Sequence, residues 1–423
     1  MKETKAAEPT LAEAAALLAD CRYLLVMPVP WYQAADESVW LDDLWYRDLV
    51  RHLDYISDLT VLAPRLPLES TEGMVQVPAG LRGLRFQSLP WGKSVLQGLV
   101  RAPATLVAAA RAVRGADLVH SGVAGWPFAP GLFANPLAVL GRRPMVIVVE
   151  SAFWRLAGSG HHSRKARLRA AVTESFARFS VRRAALSVFT HEGYRASLGQ
   201  GSEARSIVTP ATWIDENDVL SDDAARAAWG AKPGPVRVIV AARLTEGKGI
   251  AVLLAALATA EAEGVPLHVD VIGDGPLRAA VHEASQRFTT VQLRMLDPLP
   301  YGAPFLNMLR GYHAALVPSV TDEQPRILFD AASQALPILA SDTEGHRMFV
   351  EEGVTGWRFA PDDATALLAV LRRAAACPVD LQAMGLTARE RVLGQTHQAM
   401  HLVRARRLAS LWRDRRGGVA EAR

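Results

Sequence analysis

VRVIVAARLTEGKGIAVLLAA, residues 236–256, reads as a strand, a loop and a helix in direct succession. Residues 236–241 form a short β-branched run that suits a strand. Residues 245–249 are polar and contain two glycines, which suits a loop. Ile250 opens a run of Ala and Leu, strong helix formers, that predicts a helix over Ile250–Ala262. Arg243 and Lys248 bracket the loop. A strand end feeding a glycine-containing loop and a helix N-terminus is a ready anion site. Arg offers a planar fork for phosphate and Lys a mobile point charge. The plainer alternative is a solvated turn with two unrelated cations.

The same alternation runs through the chain. Further strands are expected at 267–272, 291–295, 315–318 and 338–340 in this half, with helices at 276–285, 327–335 and 364–376. In the first half strands are expected at 23–29, 59–63, 116–120, 145–150 and 186–190, with helices at 40–53, 93–114 and 164–183. Strand–helix alternation predicts parallel α/β sheets, here two Rossmann-like domains facing across a cleft. Pro233-Gly234-Pro235 breaks the chain before the strand at 236, so residues 1–211 and 236–395 are expected as domains and 212–235 as their linker. Residues 396–423 read as a C-terminal helix. In such sheets ligands bind beyond the C-terminal strand ends, which makes the cleft the expected site.

A chain of 423 residues suits two domains, and a 50% apolar, 21% charged composition is that of a core-forming protein. The formal charge of +4 is small for this length and speaks against a dedicated nucleic-acid binder. Two distant cysteines, Cys21 and Cys377, give neither a disulfide framework nor a metal pattern. Glu13 and Asp20 interrupt any signal-peptide apolar stretch, and no run approaches ~20 apolar residues. The expectation is a cytoplasmic protein, peripheral at most at the inner face of the membrane.

Two more segments carry chemistry. LHVDVIGDGPL, residues 267–277, places Gly273 and Gly275 at a strand end, where a plain β–α turn is the simpler explanation. ALVPSVTDEQPRILFDAASQALPILASD, residues 315–342, has a loop with Asp322, Glu323 and Arg326, then a helix carrying Asp330. Carboxylates accept paired hydrogen bonds from vicinal hydroxyls, as sugars and ribose present. Asp322 and Glu323 would equally well complement a helix N-terminus. Asp330 sits past the first turn among Ile327, Leu328 and Phe329, where that explanation is weaker.

Taken in order, these segments resemble the retaining glycosyltransferase family 4, which has the GT-B fold. The family pattern GRL-x-x-x-KG, then G-x-G-P, then P-S-x-x-E-x(7)-E-x-x-x-x-G-x-P-V-x-A-S-D, reads here AARLTEGKG, IGDGPL and PSVTDEQPRILFDAASQALPILASD. The later DG-x-TG element reads EGVTGWRFAPDD. The resemblance covers about residues 236–365 and implies roles. Arg243 and Lys248 match the pair that holds the donor diphosphate, and Gly273 the donor-side turn. Asp330 matches the second Glu, which binds the ribose. The first Glu, which contacts the transferred sugar, falls at Asp322 by spacing, while Glu323 is one residue away. Gln324-Pro325-Arg326 replaces the family's Gly-Phe-Gly, so Arg326 is a further candidate for phosphate. The family's last helix packs back towards the N-terminal domain, which receives the acceptor.

That N-terminal half is less similar. ADLVHSG puts His120 at a strand end like the family's V-V-H-x-H, with Gly122 in place of the second His. His120 is thus either the active-site histidine or a structural one. The Gly-rich loop after the first strand is absent; PVPWYQAADESVW stands there, where Trp31, Tyr32 and Trp40 stack on sugars or fill the core, with core filling expected for Trp40.

Arg164–Arg183 carries seven cations against Glu174 alone, beside an apolar stripe of Leu168, Val172, Phe176 and Phe179. It reads either as a contact with anionic lipid or as a core-packed helix with a solvated basic face. The function expected is a retaining, hexosyltransferase-like enzyme that moves a sugar from a nucleotide-sugar donor to a saccharide, lipid-linked or small-molecule acceptor. No metal and no cofactor is implied, since no DxD ends a strand. The competing readings are a nucleotide-sugar epimerase of the same fold and a catalytically inactive GT-B scaffold or binding protein.

Overall fold

The structure is a computed structural model and describes residues 8–125, 127–155, 163–232, 234–321 and 323–421. It divides into two compact units. The first takes the chain up to Trp154, Arg164–Thr209 and the residues from Gln398 onward; the second is built on Pro210–His397.

Among the described residues the first unit holds ten strands: β1 (Arg22–Val26), β2 (Trp31–Gln33), β3 (Val39–Asp42), β4 (Asp58–Pro67), β5 (Met74–Gln76), β6 (Leu84–Leu89), β7 (Leu118–Gly122), β8 (Met145–Val149), β9 (Leu186–Phe189) and β10 (Ser206–Val208). The sheet runs β10-β9-β8-β7-β1-β4-β2-β3-β5, with β6 also on β4. β1 is central and buried on both faces: Tyr23 and Leu25 enter one core, Leu24 and Val26 the other. That is why it reads as an uninterrupted apolar run. The first of these cores also takes Leu49 of helix Asp43–Leu53 and Ala405, Leu408 and Ala409 of the terminal helix His397–Glu421. The second takes Ala109, Ala134 and Ala177 from helices Val95–Gly115, Gly131–Leu140 and Arg164–Arg183.

The second unit is a parallel sheet of β11 (Arg237–Ala241), β12 (His268–Ile272), β13 (Gln292–Leu296), β14 (Ala314–Val317), β15 (Ile338–Ser341) and β16 (Gly356–Phe359), in the order β13-β12-β11-β14-β15-β16. The chain builds outward from β11 to β13, then returns to the other side of β11 with β14. The order therefore reverses between β11 and β14, and in open α/β sheets ligands bind at that reversal.

Three expectations are corrected. The helix expected from 40 begins at Asp43, because the Asp42 carboxylate accepts the Leu44 and Trp45 amides and caps it there. Trp40 lies instead on β3, antiparallel to β2, half-buried and donating from Nε1 to Ser38 Oγ at 2.9 Å. Trp31 fills the core. The strand expected at 116–120 starts at Leu118, which puts His120 in its middle rather than at its end. The segment 212–235, read as a linker, is built into the second unit. Ser221 caps helix Asp222–Gly230, and buried Trp229 donates from Nε1 to the Ala335 carbonyl at 2.9 Å. Among the described residues no helix is long and apolar enough to cross a membrane.

Candidate functional site

The chain pays out three loops at the C-terminal ends of β12, β11 and β14, and backbone geometry locks them together. After β11 the turn Glu246–Lys248 ends at Gly249, whose φ is 71°. A Cβ there would stand 1.8 Å from the Pro318 carbonyl oxygen. Only glycine allows both that conformation and that approach. The Val320 amide donates to the Gly247 carbonyl at 3.1 Å, tying the β14 loop to the β11 loop. On the other side, a Cβ on Gly273 would stand 1.9 Å from the Ala242 carbonyl oxygen. The Leu244 amide donates to the Asp274 carbonyl at 2.8 Å. Gly273 thus serves the close approach of two of the protein's own loops.

This frame brings Lys248 and Glu323 together across the strand-order reversal. Lys248 Nζ lies 2.6 Å from Glu323 Oε2, and both side chains are largely enclosed, at 14% and 22% exposure. Asp322 lies outside the described residues. Arg243, on the same loop as Lys248, is exposed, and its side chain makes no hydrogen bond or ion pair among the described residues. Among the described residues one cation is therefore committed and the other open.

The helix Ile327–Ser333 follows the β14 loop and is buried along its whole length. Asp330 is 4% exposed and accepts a hydrogen bond from the Tyr301 hydroxyl at 2.8 Å. Burial pushes its carboxyl up to about 7; the Tyr301 bond and the Arg326 guanidinium oppose this, and Asp218 adds to it. The Tyr301 hydroxyl is itself pushed up, by burial first and then by Asp330. Arg326 is exposed at the head of the helix, 5.5 Å over the Trp213 ring. A buried carboxyl with a raised affinity for its proton, beyond the strand ends where open α/β sheets bind ligands, makes Asp330 a candidate site residue. Sequence spacing found Asp330 but not Tyr301. A lone tyrosine in LPYGAP, 29 residues earlier, carries no pattern.

His120 belongs to a different environment, inside the first unit. It is buried, and its Nδ1 lies 2.8 Å from the Tyr23 hydroxyl. The ring of His52 is 5.7 Å away, and His52 in turn packs edge-on against His401 at 4.8 Å. Asp48 meets His401 Nε2 at 3.0 Å, the Tyr55 hydroxyl meets His401 Nδ1 at 3.1 Å, and Arg404 reaches His52 at 3.2 Å. None of these partners is near His120 in sequence, so no local signal announced the cluster. Burial, then Arg404 and His52, holds the His120 imidazole well below the ordinary histidine value. Burial does the same to His401, against the pull of Asp48.

Both rings are thus neutral in the folded protein, while an unfolded chain takes up protons near 6.5. The stability they represent is complete above that value and is lost progressively as pH falls below it, at roughly 1.4 kcal/mol per pH unit for each ring. The expected result is a fall in the urea midpoint of the Asp330→Asn variant between pH 7.5 and pH 5.5, a background in which the buried Asp330 carboxyl no longer titrates in the same range with the opposite sign. A level midpoint over that range would show that the rings carry charge in the folded state.

Comparison with known proteins supplies the context. Residues 221–391 match the family described as Glycosyl transferases group 1. The amylovoran biosynthesis glycosyltransferase AmsK of Erwinia amylovora is 28% identical over 170 residues, 39% of this chain and 42% of that protein. The putative colanic acid biosynthesis glycosyltransferase WcaL of Salmonella typhimurium is 30% identical over 177 residues, 39% of this chain and 43% of that protein. The chain thus spans less than half the length of the curated relatives it matches. The crystal structure of HepE from Anabaena, in complex with UDP and glucose, matches with a TM-score of 0.62 at 14% identity, covering 92% of this chain and 99% of that one. Two parallel-sheet α/β units and this likeness make the fold GT-B.

Proposed function

We propose, for a chain whose residues 221–391 match the group 1 glycosyltransferases, that it moves a sugar from a nucleotide-sugar donor to a saccharide, lipid-linked or small-molecule acceptor, with retention at the anomeric carbon. The observation that carries this is the meeting of Lys248, Glu323 and the Asp330 helix at the reversal of strand order. In this reading Arg243 and Lys248 take the diphosphate, and Arg326 adds charge beside it. Asp330 takes the ribose hydroxyls. An arriving phosphate exchanges with Glu323 for Lys248, which frees the Glu323 carboxylate for the sugar; Asp322 is the alternative for that role. When the sugar–phosphate bond breaks, its electron pair goes to the phosphate, where the two cations stabilise it without a metal. Gly273 acts through loop packing. The enclosure of His120 by Tyr23 and His52 supports a packing role for it rather than sugar contact. The relatives named for amylovoran and colanic acid biosynthesis support a saccharide acceptor within polysaccharide or glycoconjugate biosynthesis. The basic helix Arg164–Arg183 is read as a peripheral contact with an anionic membrane.

The test is a thermal-shift panel with UDP, GDP, ADP and dTDP, followed by donor turnover with pure protein. UDP comes first, since HepE was solved with it. The cognate nucleotide at a hundredfold excess over its dissociation constant stabilises the fold by ~2.7 kcal/mol. Its sugar donor is then consumed in transfer or hydrolysis. An isomerised sugar still attached to nucleotide would identify an epimerase. No stabilisation by any nucleotide, and no turnover, would leave a scaffold.

A further inference from the structure

Three helices cover one face of the first unit's sheet: Val95–Gly115, Gly131–Leu140, which packs against both others, and Arg164–Arg183. Each turns small residues inward, among them Ala109, Ala134 and Ala177. The outward side of such a helix is ordinarily polar, because it ends in water. Here it is apolar. On Val95–Gly115 the side chains of Val95, Leu96, Leu99, Val100, Leu106 and Val107 are 45–74% exposed. At 3.6 residues per turn these six share an arc of roughly 140°, with buried Thr105, Ala109 and Ala112 on the other side and buried Val113, about five turns beyond Val95, at the edge of the arc. Leu140 at 81% and Leu168 at 67% continue the apolar surface on the neighbouring helices, with Val172 and Phe179 also exposed. The stripe that sequence pattern would bury on Arg164–Arg183 thus faces outward, except for half-buried Phe176.

On the two long helices of this surface every exposed charged residue is basic. Residues 93–115 contain Lys93, Arg101, Arg111 and Arg114, all exposed, and no acid. Arg164, Lys165, Arg167, Arg169, Arg182 and Arg183 are exposed on the third helix. Its single acid, Glu174, is occupied by Trp154 Nε1 and Arg178, each at 2.9 Å. A second copy of this face would meet it cation to cation, so self-association is disfavoured by charge. An anionic bilayer answers both features, with phosphates for the cations and acyl chains for the apolar arc.

We propose that this three-helix face docks on an anionic lipid bilayer, with the outer side of Val95–Gly115 entering the boundary between headgroups and acyl chains. This rests on the peripheral-contact reading of Arg164–Arg183 and is independent of glycosyl transfer. It assigns the apolar contribution to a different helix from the one that carries most charge.

The experiment is co-sedimentation with vesicles of phosphatidylcholine alone or with one quarter phosphatidylglycerol, at 0.1 and 0.5 M salt. Three proteins are compared: wild type; Leu96→Ser with Leu99→Ser, Val100→Ser and Val107→Ser; and Arg164→Gln with Arg167→Gln, Arg178→Gln and Arg182→Gln. The serine changes fall on exposed positions, and unchanged thermal melting verifies the fold. Wild type binds the anionic vesicles and keeps a fraction of that binding at high salt. The serine variant binds at least tenfold more weakly and loses the salt-resistant fraction. The glutamine variant loses mainly the salt-sensitive fraction. Wild-type affinity in the serine variant overturns the inference and leaves the purely electrostatic contact of Arg164–Arg183 standing. No vesicle binding by wild type overturns both. A concentration-dependent dimer that the serine changes abolish, without vesicle binding, assigns the face to a second copy instead.

Discussion

Lys248→Ala abolishes measurable donor turnover and weakens nucleoside-diphosphate binding by ten- to a hundredfold, while the protein stays folded. The expectation comes from how Lys248 is held. Its ammonium is largely enclosed and its partner is the Glu323 carboxylate at 2.6 Å. Removing it does two things at once. The diphosphate loses a charged hydrogen bond, worth about 1.5–3 kcal/mol. It also meets an uncompensated carboxylate in a poorly solvated loop, and stranding one member of such a pair is costly. Arg243→Ala loses only the first of these, because Arg243 is exposed and engaged with no other side chain among the described residues. Its effect on affinity is therefore smaller, about tenfold. Glu323→Gln separates the two roles further. It releases Lys248, so nucleotide affinity is kept or improved, while turnover falls because the sugar loses a carboxylate. Calorimetry with UDP and a coupled turnover assay read both quantities. Unchanged affinity in both cation variants would remove the diphosphate from this loop.

The parts of this site legible in sequence are those in which a local pattern and a structural demand coincide. The runs at 236–241, 267–272 and 338–340 are legible as strands because short stretches rich in Val, Ile and Leu suit a buried parallel sheet, even with Arg237, His268 and Asp270 among them. Gly249 and Gly273 are visible because the loops cross too closely for a side chain. Asp330 stands out as an acid among Ile327, Leu328 and Phe329. What escaped was decided by partners distant in the chain. β3 takes Trp40 out of the helical pattern because β2 and β5 flank it. β16 is four residues whose strand character comes from β15. Tyr301, and the cluster of Tyr23, His52, His120 and His401, are brought together only by folding. Val95–Gly115 is apolar around most of its circumference, and sequence does not say which part the sheet covers.

Asp330→Asn is expected to make the ligand-free protein more stable at pH 8 and to weaken its nucleotide binding by about tenfold. Burial lifts the Asp330 carboxyl from its ordinary 3.8 to about 7. The folded protein therefore holds this proton more tightly than the unfolded chain does. The stabilisation that represents is complete below about pH 3.8 and is lost as pH rises through about 7. At pH 8 the wild type keeps an ionised carboxylate almost out of contact with water, at a cost of roughly 2–4 kcal/mol. Asparagine removes that charge and still accepts the Tyr301 hydroxyl through its oxygen. The gain in stability should be large at pH 8 and fade towards pH 5. Binding should move the other way. A carboxylate can hold Tyr301 with one oxygen and a ribose hydroxyl with the other, whereas an amide has one acceptor oxygen and must turn its donor towards the second partner. Stability and function are then opposed at a single buried atom pair, which is the usual reason a destabilising charge persists in a core. Melts at pH 5 and pH 8 without ligand, with UDP calorimetry at pH 8, read the two halves independently. Higher stability with undiminished affinity would leave Asp330 a buried acid with no part in holding the ribose.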